Sequence, residues 1–423
     1  MTDSGLERTI LPCGIRILSE KMSEARSVSL GVWIDTGSRD EKEEESGFTH
    51  FLEHMVFKGT PKMNAREIAW AFDQMGAEAN AITGREHTSF FVRVIRDHLE
   101  EALEIIFDMI KNPLFLEKDI EPEKQVVLEE IAMHLDSPDE LVHDYLAEAI
   151  WGKHPLARNI LGDAEIIKQA NRQKLIEFHV KNYIASRIVV AAAGAIDHEF
   201  LCELVEEKAS GMNNGKPADR SDIPEFQPGD IIVKKETEQA HIAIGCIGLP
   251  RGHTDRFSLA VLDNLLGGSM SSRLWQKIRE ESGLAYSIYS YTSMLIGTGM
   301  VGIYCGTHPS QVKKVIELIE DELSNIGKNG FTEEEINRAK NHIKGSLSIS
   351  MEDSSNRMNR IAKAELSGGE HLCLDVVLEK IKAVTLEDLA RVFSLTWDNG
   401  THALAVIGPI EKQSIPAEDL SMQ

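Results

Sequence analysis

The two halves of this 423-residue chain resemble each other, and this internal duplication is the strongest constraint on its fold. The halves meet at residues 211–230, a segment rich in Gly, Pro, Asn and Asp that has no apolar period, which is typical of a linker. Matching segments occur at corresponding places in both halves: Ser27–Ile34 with 241–248, 111–120 with 328–336, and Gly59 with Gly268. A repeat of about 200 residues is too long for a solenoid and indicates a duplicated domain. We therefore predict domains at residues 1–212 and 231–423, joined by a linker at 213–230.

Each half mixes strand-like and helical segments. Runs rich in Val, Ile and Phe predict strands at Ser27–Ile34, Thr88–Ile95 and Ile188–Gly194. Apolar residues at helical spacing, with capping and stop residues, predict helices at 64–76, 99–112 and 117–135. Hairpin-like groups of strands with separate helices are typical of an α+β fold, so each domain should contain an antiparallel-rich sheet covered by helices on one face. A Rossmann fold is disfavoured because no Gly-x-Gly-x-x-Gly motif follows the early strands.

The composition excludes some classes of function. The chain has 68 Asp and Glu against 45 Lys and Arg, a net charge of −23, so it repels phosphate backbones and anionic lipids. We therefore expect neither nucleic-acid binding nor a role at a membrane. The longest apolar run, residues 188–196, is far shorter than the roughly 20 residues that cross a bilayer. The absence of a recognisable targeting signal and the five scattered cysteines, with no Cys-x-x-Cys pair, predict a cytoplasmic protein.

The strongest chemical signal is the segment His50-Phe-Leu-Glu53-His54. On a helix, residues four apart lie on one face, so both imidazoles can bind the same metal ion. Glu53 is adjacent to His54 and can contact a water molecule bound to that metal. This His-x-x-Glu-His order is the reverse of the His-Glu-x-x-His zinc motif. Two imidazoles and one carboxylate form a common catalytic zinc set, so a third ligand is expected from another helix.

Candidates for the third ligand lie on the predicted helix 117–135. Glu123 and Glu130 are seven residues apart, about two helical turns, and therefore lie on one face. A carboxylate on a partly buried helix face needs a partner, and a cation is the simplest one. The alternative is a solvated acidic helix, which describes Glu121 and Glu129 well.

The inverted motif followed by a Glu-x6-Glu helix resembles the pitrilysin family of zinc peptidases (inverzincins). Within that family, the chain is most similar to the branch of the mitochondrial processing peptidase and its bacterial relatives, and the resemblance covers essentially the whole chain. The resemblance implies one Zn²⁺ bound by His50, His54 and Glu130, which lies 76 positions after the second histidine. It also implies that Glu53 is the catalytic base and that Glu123 supports the ligands.

The same resemblance implies residues that contact substrate. Segment 80–83 resembles the family's edge strand, to which a substrate peptide adds as an extra strand, and this makes Asn80 and Ala81 substrate-binding residues. In the second half, Arg279 and Tyr286 match the family's Arg-x6-Tyr element and would reach the substrate near the scissile bond.

The second half lacks the metal ligands. With an offset of 209 residues, the zinc-motif positions of the first half fall on Leu259, Leu262 and Asp263. Near Glu130 the offset is about 216, and the matching residue is Ser346. We therefore expect one Zn²⁺ per chain, with the second half supplying substrate contacts.

These observations predict a zinc-dependent endopeptidase that hydrolyses extended, unfolded peptides through a zinc-bound water activated by Glu53. The alternative is a non-catalytic scaffold or partner subunit of the same fold, although such subunits typically lose the metal ligands. Because members of the family enclose substrate between four homologous domains, we expect this two-domain chain to form a dimer, most simply a homodimer with an enclosed chamber.

Overall fold

Two β-sheets form the framework of the chain. The structure, a computed structural model, describes residues 5–368, 370–398 and 401–410. The first sheet contains β1 (Leu6–Ile10), β2 (Arg16–Lys21), β3 (Ser27–Ile34), β4 (Glu78–Thr83), β5 (Thr88–Ile95) and β6 (Ile188–Gly194). The second sheet contains β7 (Asp230–Lys234), β8 (Ala240–Ile247), β9 (Ala285–Met294), β10 (Gly299–Thr307) and β11 (Ala403–Gly408).

Helices connect and cover these strands. They are α1 (Phe48–Val56), α2 (Ala65–Gln74), α3 (Leu99–Lys111), α4 (Glu117–Leu135), α5 (Pro138–Trp151), α6 (Ala164–Lys168), α7 (Arg172–Asn182), α8 (His198–Lys208), α9 (Arg256–Leu266), α10 (Val312–Asn329), α11 (Glu333–Ser350), α12 (Ser354–Leu366), α13 (Leu374–Ala383) and α14 (Leu386–Thr396). A π-helical segment, Trp275–Glu281, precedes β9. These bounds confirm the predicted strands. The ends of the three predicted helices differ from the observed ends by at most two residues. The described parts of the chain contain no helix that combines the length and hydropathy needed to span a membrane.

The strand orders of the two sheets confirm the duplication. The first sheet runs β1-β2-β6-β3-β5-β4 and the second runs β7-β11-β8-β10-β9, so that among the strands in the described part of the chain only β1 has no counterpart. In each sheet one pair of strands is parallel, β2 with β6 and β7 with β11, and the other pairs are antiparallel. Strands β3 and β8, which were matched by sequence, occupy the same position. The α+β fold with two homologous domains is thus confirmed.

The central strands are apolar because both of their faces are covered. All seven residues of β6 are buried. Its Ile188 and Val190 belong to a core shared with helices α1, α3 and α7, whereas Val189 and Ala191 lie in a separate cluster on the other face. A strand that is buried on both faces has a continuous run of hydrophobic residues in its sequence, and β6 shows this pattern.

Each sheet takes the helix on its second face from the other half of the sequence. One compact unit comprises the chain up to Ala132, Arg158–Asp219 and Ile349–Leu374. The other comprises Met133–Ala157, Arg220–Ser348 and the chain from Asp375 onward. Helix α12 therefore packs on β6 and β3, and α5 packs on β11 and β8.

This exchange changes the expected organisation in two ways. The contiguous boundaries predicted at residues 212 and 231 differ from the compact units by the segments that carry α5 and α12. In addition, each sheet carries a helix on its second face as well as the helical layer on the first. The physical reason is the apolar second face of strands such as β6, which must be buried.

Candidate metal centre

Helix α1 carries the His-x-x-Glu-His segment, and its N-terminus is held by a buried carboxylate. The backbone N–H groups of Gly47 and Thr49 donate to Glu41 at 2.9 and 2.7 Å. Gly47 has a φ of 89°, and a Cβ at this position would lie 2.6 Å from the carbonyl oxygen of Leu161, so only glycine fits. Burial raises the pKa of Glu41 to about 7, although the hydrogen bonds with Thr49 and Gly47 oppose this shift.

Three candidate ligands meet on one face of α1. The Nε2 atoms of His50 and His54 lie 3.6 and 3.5 Å from Oε2 of Glu130 on α4, and the two imidazole ring centroids are 4.6 Å apart. Ligands about 2.0–2.1 Å from a tetrahedral zinc ion are separated by about 3.3 Å. The distances to Glu130 are close to that value, so one ion fits between the three side chains.

The chemistry of these side chains also fits a divalent cation. Among the described residues, His50, His54 and Glu130 form the only group of three His, Cys, Asp or Glu side chains with ligand atoms within 4.8 Å of one another. Oε2 of Glu130 is buried and has no hydrogen-bond partner in the described part of the chain. Burial, together with the neighbouring His54, lowers the pKa of His50 to about 4, so this imidazole is neutral and can donate a lone pair.

Glu123 orients one of the imidazoles. Its Oε1 lies 2.8 Å from Nδ1 of His54, and its Oε2 forms an ion pair with Lys58. Burial alone would raise the pKa of Glu123, but the hydrogen bonds with His54 and Lys58 outweigh it and lower that pKa. A carboxylate on the second ring nitrogen of a metal-binding histidine fixes the ring and its tautomer. Glu123 therefore leaves Nε2 of His54 facing Oε2 of Glu130.

The carboxyl group of Glu53 lies beside the same face. Its Oε2 accepts a hydrogen bond from Oγ1 of Thr83, the last residue of β4. Burial raises the pKa of Glu53, while the Thr83 hydroxyl opposes that shift. Thr83 was not identified as a site residue from the sequence, because its contact with Glu53 joins residues 30 positions apart. Burial raises the pKa of the Tyr183 hydroxyl, and the nearby carboxylate of Glu53 adds to this shift. Tyr183 was likewise not identified from the sequence.

Asn80 and Ala81 lie on β4, at the edge of the first sheet. The strand pairs with β5 on one side only, with Asn80 opposite Phe91 and Ala81 opposite Phe90. Asn80 is exposed, and its Oδ1 accepts the N–H of Ala81 at 2.8 Å. The structure thus places both residues on an edge strand, where a peptide could add.

Arg279 and Tyr286 contact each other within the second unit. The guanidinium of Arg279 lies 4.0 Å from the ring centroid of Trp275 and 5.1 Å from that of Tyr286, so it is held by two aromatic rings. Tyr286 is 78% exposed. Trp275 was not identified as functional from the sequence, although its position four residues before Arg279 on a helical segment could have indicated the contact.

The second unit has a different arrangement where its sequence matches the metal ligands. Leu259 and Leu262 are buried in its core. Asp263 accepts a hydrogen bond of 2.7 Å from Oγ of Ser290. These residues cannot supply the imidazoles that the first unit carries at the corresponding positions.

The fold and this site define a class: a duplicated α+β protein in which two imidazoles of one helix and a carboxylate of another are arranged to bind a divalent metal ion. Residues 16–164 match the family model described as Insulinase (Peptidase family M16), and residues 169–343 match the one described as Peptidase M16 inactive domain. The chain belongs to peptidase family M16, which confirms the resemblance seen in its motifs.

Relatives of similar length support this assignment. The chain is 42% identical to a Bacillus subtilis protein named uncharacterized zinc protease YmxG, over 94% of this chain and 96% of that protein. It is 38% identical to an uncharacterized zinc protease of Streptomyces coelicolor, over 98% of this chain and 92% of that protein.

Solved structures share the fold at lower identity. The crystal structure of a protease from Helicobacter pylori has a TM-score of 0.89 at 22% identity and covers 96% of this chain and 99% of its own. A Pseudomonas fluorescens structure described as a peptidase M16 inactive domain also has a TM-score of 0.89, at 20% identity, and covers 96% and 98%.

Proposed function

We propose that this protein is a zinc-dependent endopeptidase that hydrolyses extended, unfolded peptides. The observation that carries the proposal is the triangle of ligand atoms from His50, His54 and Glu130, with Glu53 beside it. Both relatives described above are named zinc proteases, which supports zinc as the ion. Bound there, Zn²⁺ would supply a Lewis acid that polarises the peptide carbonyl and acidifies a water molecule.

The protein's own groups then have separate tasks. Glu53 takes the proton of the attacking water as general base and returns it to the leaving amine. Glu123 holds the His54 ring, and Lys58 keeps Glu123 charged. Main-chain groups of the edge strand at Asn80 and Ala81 bind the extended peptide, which gives affinity with little dependence on its side chains.

We assign Arg279 and Tyr286 to substrate binding in the second half. The Arg279 guanidinium suits a substrate carbonyl, and the exposed hydroxyl of Tyr286 can donate to the developing oxyanion. The family model that matches residues 169–343 is described as an inactive domain, and the proposed metal ligands lie wholly outside that range. This agrees with a second half that binds substrate and a first half that binds the metal. A non-catalytic scaffold would not need this complete set of ligands, base and supporting carboxylate.

The assembly is part of the proposal. We propose that the chain forms a homodimer, because one chain carries both the zinc-binding half and the half with Arg279 and Tyr286. Sedimentation velocity should give about twice the mass of the chain at micromolar concentration. A monomer that retains full activity would contradict the dimer without affecting the chemistry.

The experiment that tests the function combines metal analysis with a quenched-fluorescence peptide. Wild type should contain one zinc per chain and cleave the peptide, and Glu53→Gln should keep its zinc while losing about 10²–10⁴-fold in kcat. Glu129→Gln is the matched control, since Glu129 is exposed on the helix that carries Glu130. Unchanged activity in Glu53→Gln would refute the assignment of the base.

A further inference from the structure

A hydrogen bond joins the edge strand to the helix that carries the zinc motif. Oγ1 of Thr83, the last residue of β4, donates to Oε2 of Glu53 on α1. We propose that Thr83 is a positioning residue for peptide hydrolysis, which fixes the carboxylate of Glu53 in the orientation that accepts a proton. This inference rests on the proposed function and adds to it a residue that neither the motif nor the family match assigns.

The first argument concerns the freedom of the Glu53 side chain. A glutamate has three rotatable bonds, and its carboxylate samples several orientations unless a partner fixes it. The Thr83 hydroxyl engages Oε2 and so limits the orientations that the carboxylate can adopt. A catalytic group displaced by about 1 Å can lose about 100-fold in rate, so one hydrogen bond at this place matters.

The second argument is that Thr83 is itself held in place. The turn that follows Thr83 is hydrogen-bonded to the segment preceding α1. The N–H of Ser38 donates to the carbonyl of Gly84 at 3.2 Å. The next N–H, that of Arg39, donates to the carbonyl of Arg85 at 2.9 Å. A buried ion pair of 2.8 Å between Arg39 and Glu86 further stabilises the contact between the turn and this segment. These contacts hold the turn against the segment before α1, next to the Thr83 hydroxyl.

Close backbone contact at this turn excludes a side chain. A Cβ placed on Gly37 would lie 2.4–2.5 Å from backbone atoms of Arg85 and Glu86. The same segment continues to Glu41, whose carboxylate accepts the first N–H groups of α1. Residues 37–41 thus fix both partners of the hydrogen bond, the hydroxyl through the turn and the carboxylate through the helix.

The duplicated half provides an internal comparison. There Oγ of Ser290 on β9, the strand equivalent to β4, donates to Asp263 on α9 at 2.7 Å. Each unit thus has a hydrogen bond from its edge strand to the corresponding helix, α1 or α9, although with the offset of 209 Asp263 corresponds to His54 and not to Glu53. Only in the first unit is the acceptor the proposed general base, so the test must separate a structural role from a positioning one.

The experiment compares three variants in the zinc-loaded, full-length protein with the quenched peptide. Thr83→Val removes the hydroxyl at nearly constant volume, and Thr83→Ser keeps it. Thr88→Val is the matched control, because Thr88 pairs directly with Thr83 in the hairpin while its hydroxyl donates to the carbonyl of Thr36. Zinc content and melting temperature are measured for each variant.

The proposal predicts that Thr83→Val lowers kcat about 10–100-fold, with KM within about twofold and one zinc per chain retained. Thr83→Ser should restore most of the rate, and Thr88→Val should lower the melting temperature without this loss in kcat. A Thr83→Val variant with wild-type kcat, a serine variant as slow as valine, or an equal loss in Thr88→Val would overturn the proposal. A wild-type protein that binds zinc yet cleaves no peptide would refute the proposed function itself, and the role of Thr83 with it.

Discussion

Nδ1 of His54 lies 2.8 Å from Oε1 of Glu123, and this contact leaves Nε2 of the same ring facing Glu130. Glu123→Gln should therefore weaken zinc binding about 10–100-fold, because the amide holds the ring less firmly and does not increase its basicity. Competition with a fluorescent chelator measures this change. The control Glu129→Gln removes the same charge from an exposed position of α4 and should bind zinc as wild type does. Equal affinity in all three proteins would show that Glu123 does not support the ligand.

Zinc binding should stabilise the fold. In the proposed site the ion would bind the folded arrangement of His50, His54 and Glu130, which the unfolded chain lacks. Free zinc at about 1,000 times its dissociation constant should therefore add about 4 kcal/mol to the free energy of unfolding. Differential scanning calorimetry should show a melting temperature that falls when a chelator is added to wild type. His50→Ala should melt at the same temperature with and without chelator. A chelator-sensitive His50→Ala protein would place the metal elsewhere.

Glu41 should make stability depend on pH. Burial raises the pKa of Glu41 from 4.5 to about 7 on folding. The stability that this shift contributes is therefore complete below pH 4.5 and is lost as the pH rises through 7. With chelator present, Glu41→Gln should reduce the slope of the free energy of unfolding against pH, between pH 4.5 and 7, by up to about 1.4 kcal/mol per pH unit. Glu43→Gln, at an exposed neighbouring position, should leave the dependence unchanged. Parallel curves for wild type and Glu41→Gln would contradict the assignment.

Trp275 should affect substrate binding through Arg279. The indole ring lies 4.0 Å from the Arg279 guanidinium, and such a contact is worth about 0.5–1 kcal/mol at an exposed site. Trp275→Leu should raise KM about 2–5-fold with kcat unchanged. Trp70 has a similar contact with Arg66 at 4.1 Å, outside the proposed machinery, so Trp70→Leu is a matched control. A KM that rises equally in both variants would indicate a general loss of stability.

Local patterns in the sequence predicted a large part of the fold and the ligand set. The spacing of His50 and His54 follows from helical geometry alone, and the helix 117–135 was identified from its period. The side chains of Glu123 and Glu130 could be paired with α1 only through the family resemblance, because periodicity does not say which helices meet.

Other features depend on tertiary contacts that no local pattern encodes. The apolar face of α12 indicates that the helix is buried, but it does not indicate that the helix covers β6, more than 150 residues earlier in the chain. The hydrogen bond between Thr83 and Glu53 likewise depends on tertiary contacts, such as those between the turn after β4 and the segment before α1. Contacts of this kind require the folded structure.

X-ray absorption at the zinc edge, measured on the purified protein, tests the central claim most directly. The account predicts two imidazole ligands with zinc–nitrogen distances of about 2.0–2.1 Å, and oxygen ligands completing the coordination sphere. Scattering from sulfur at about 2.3 Å, or from fewer than two imidazoles, would contradict it.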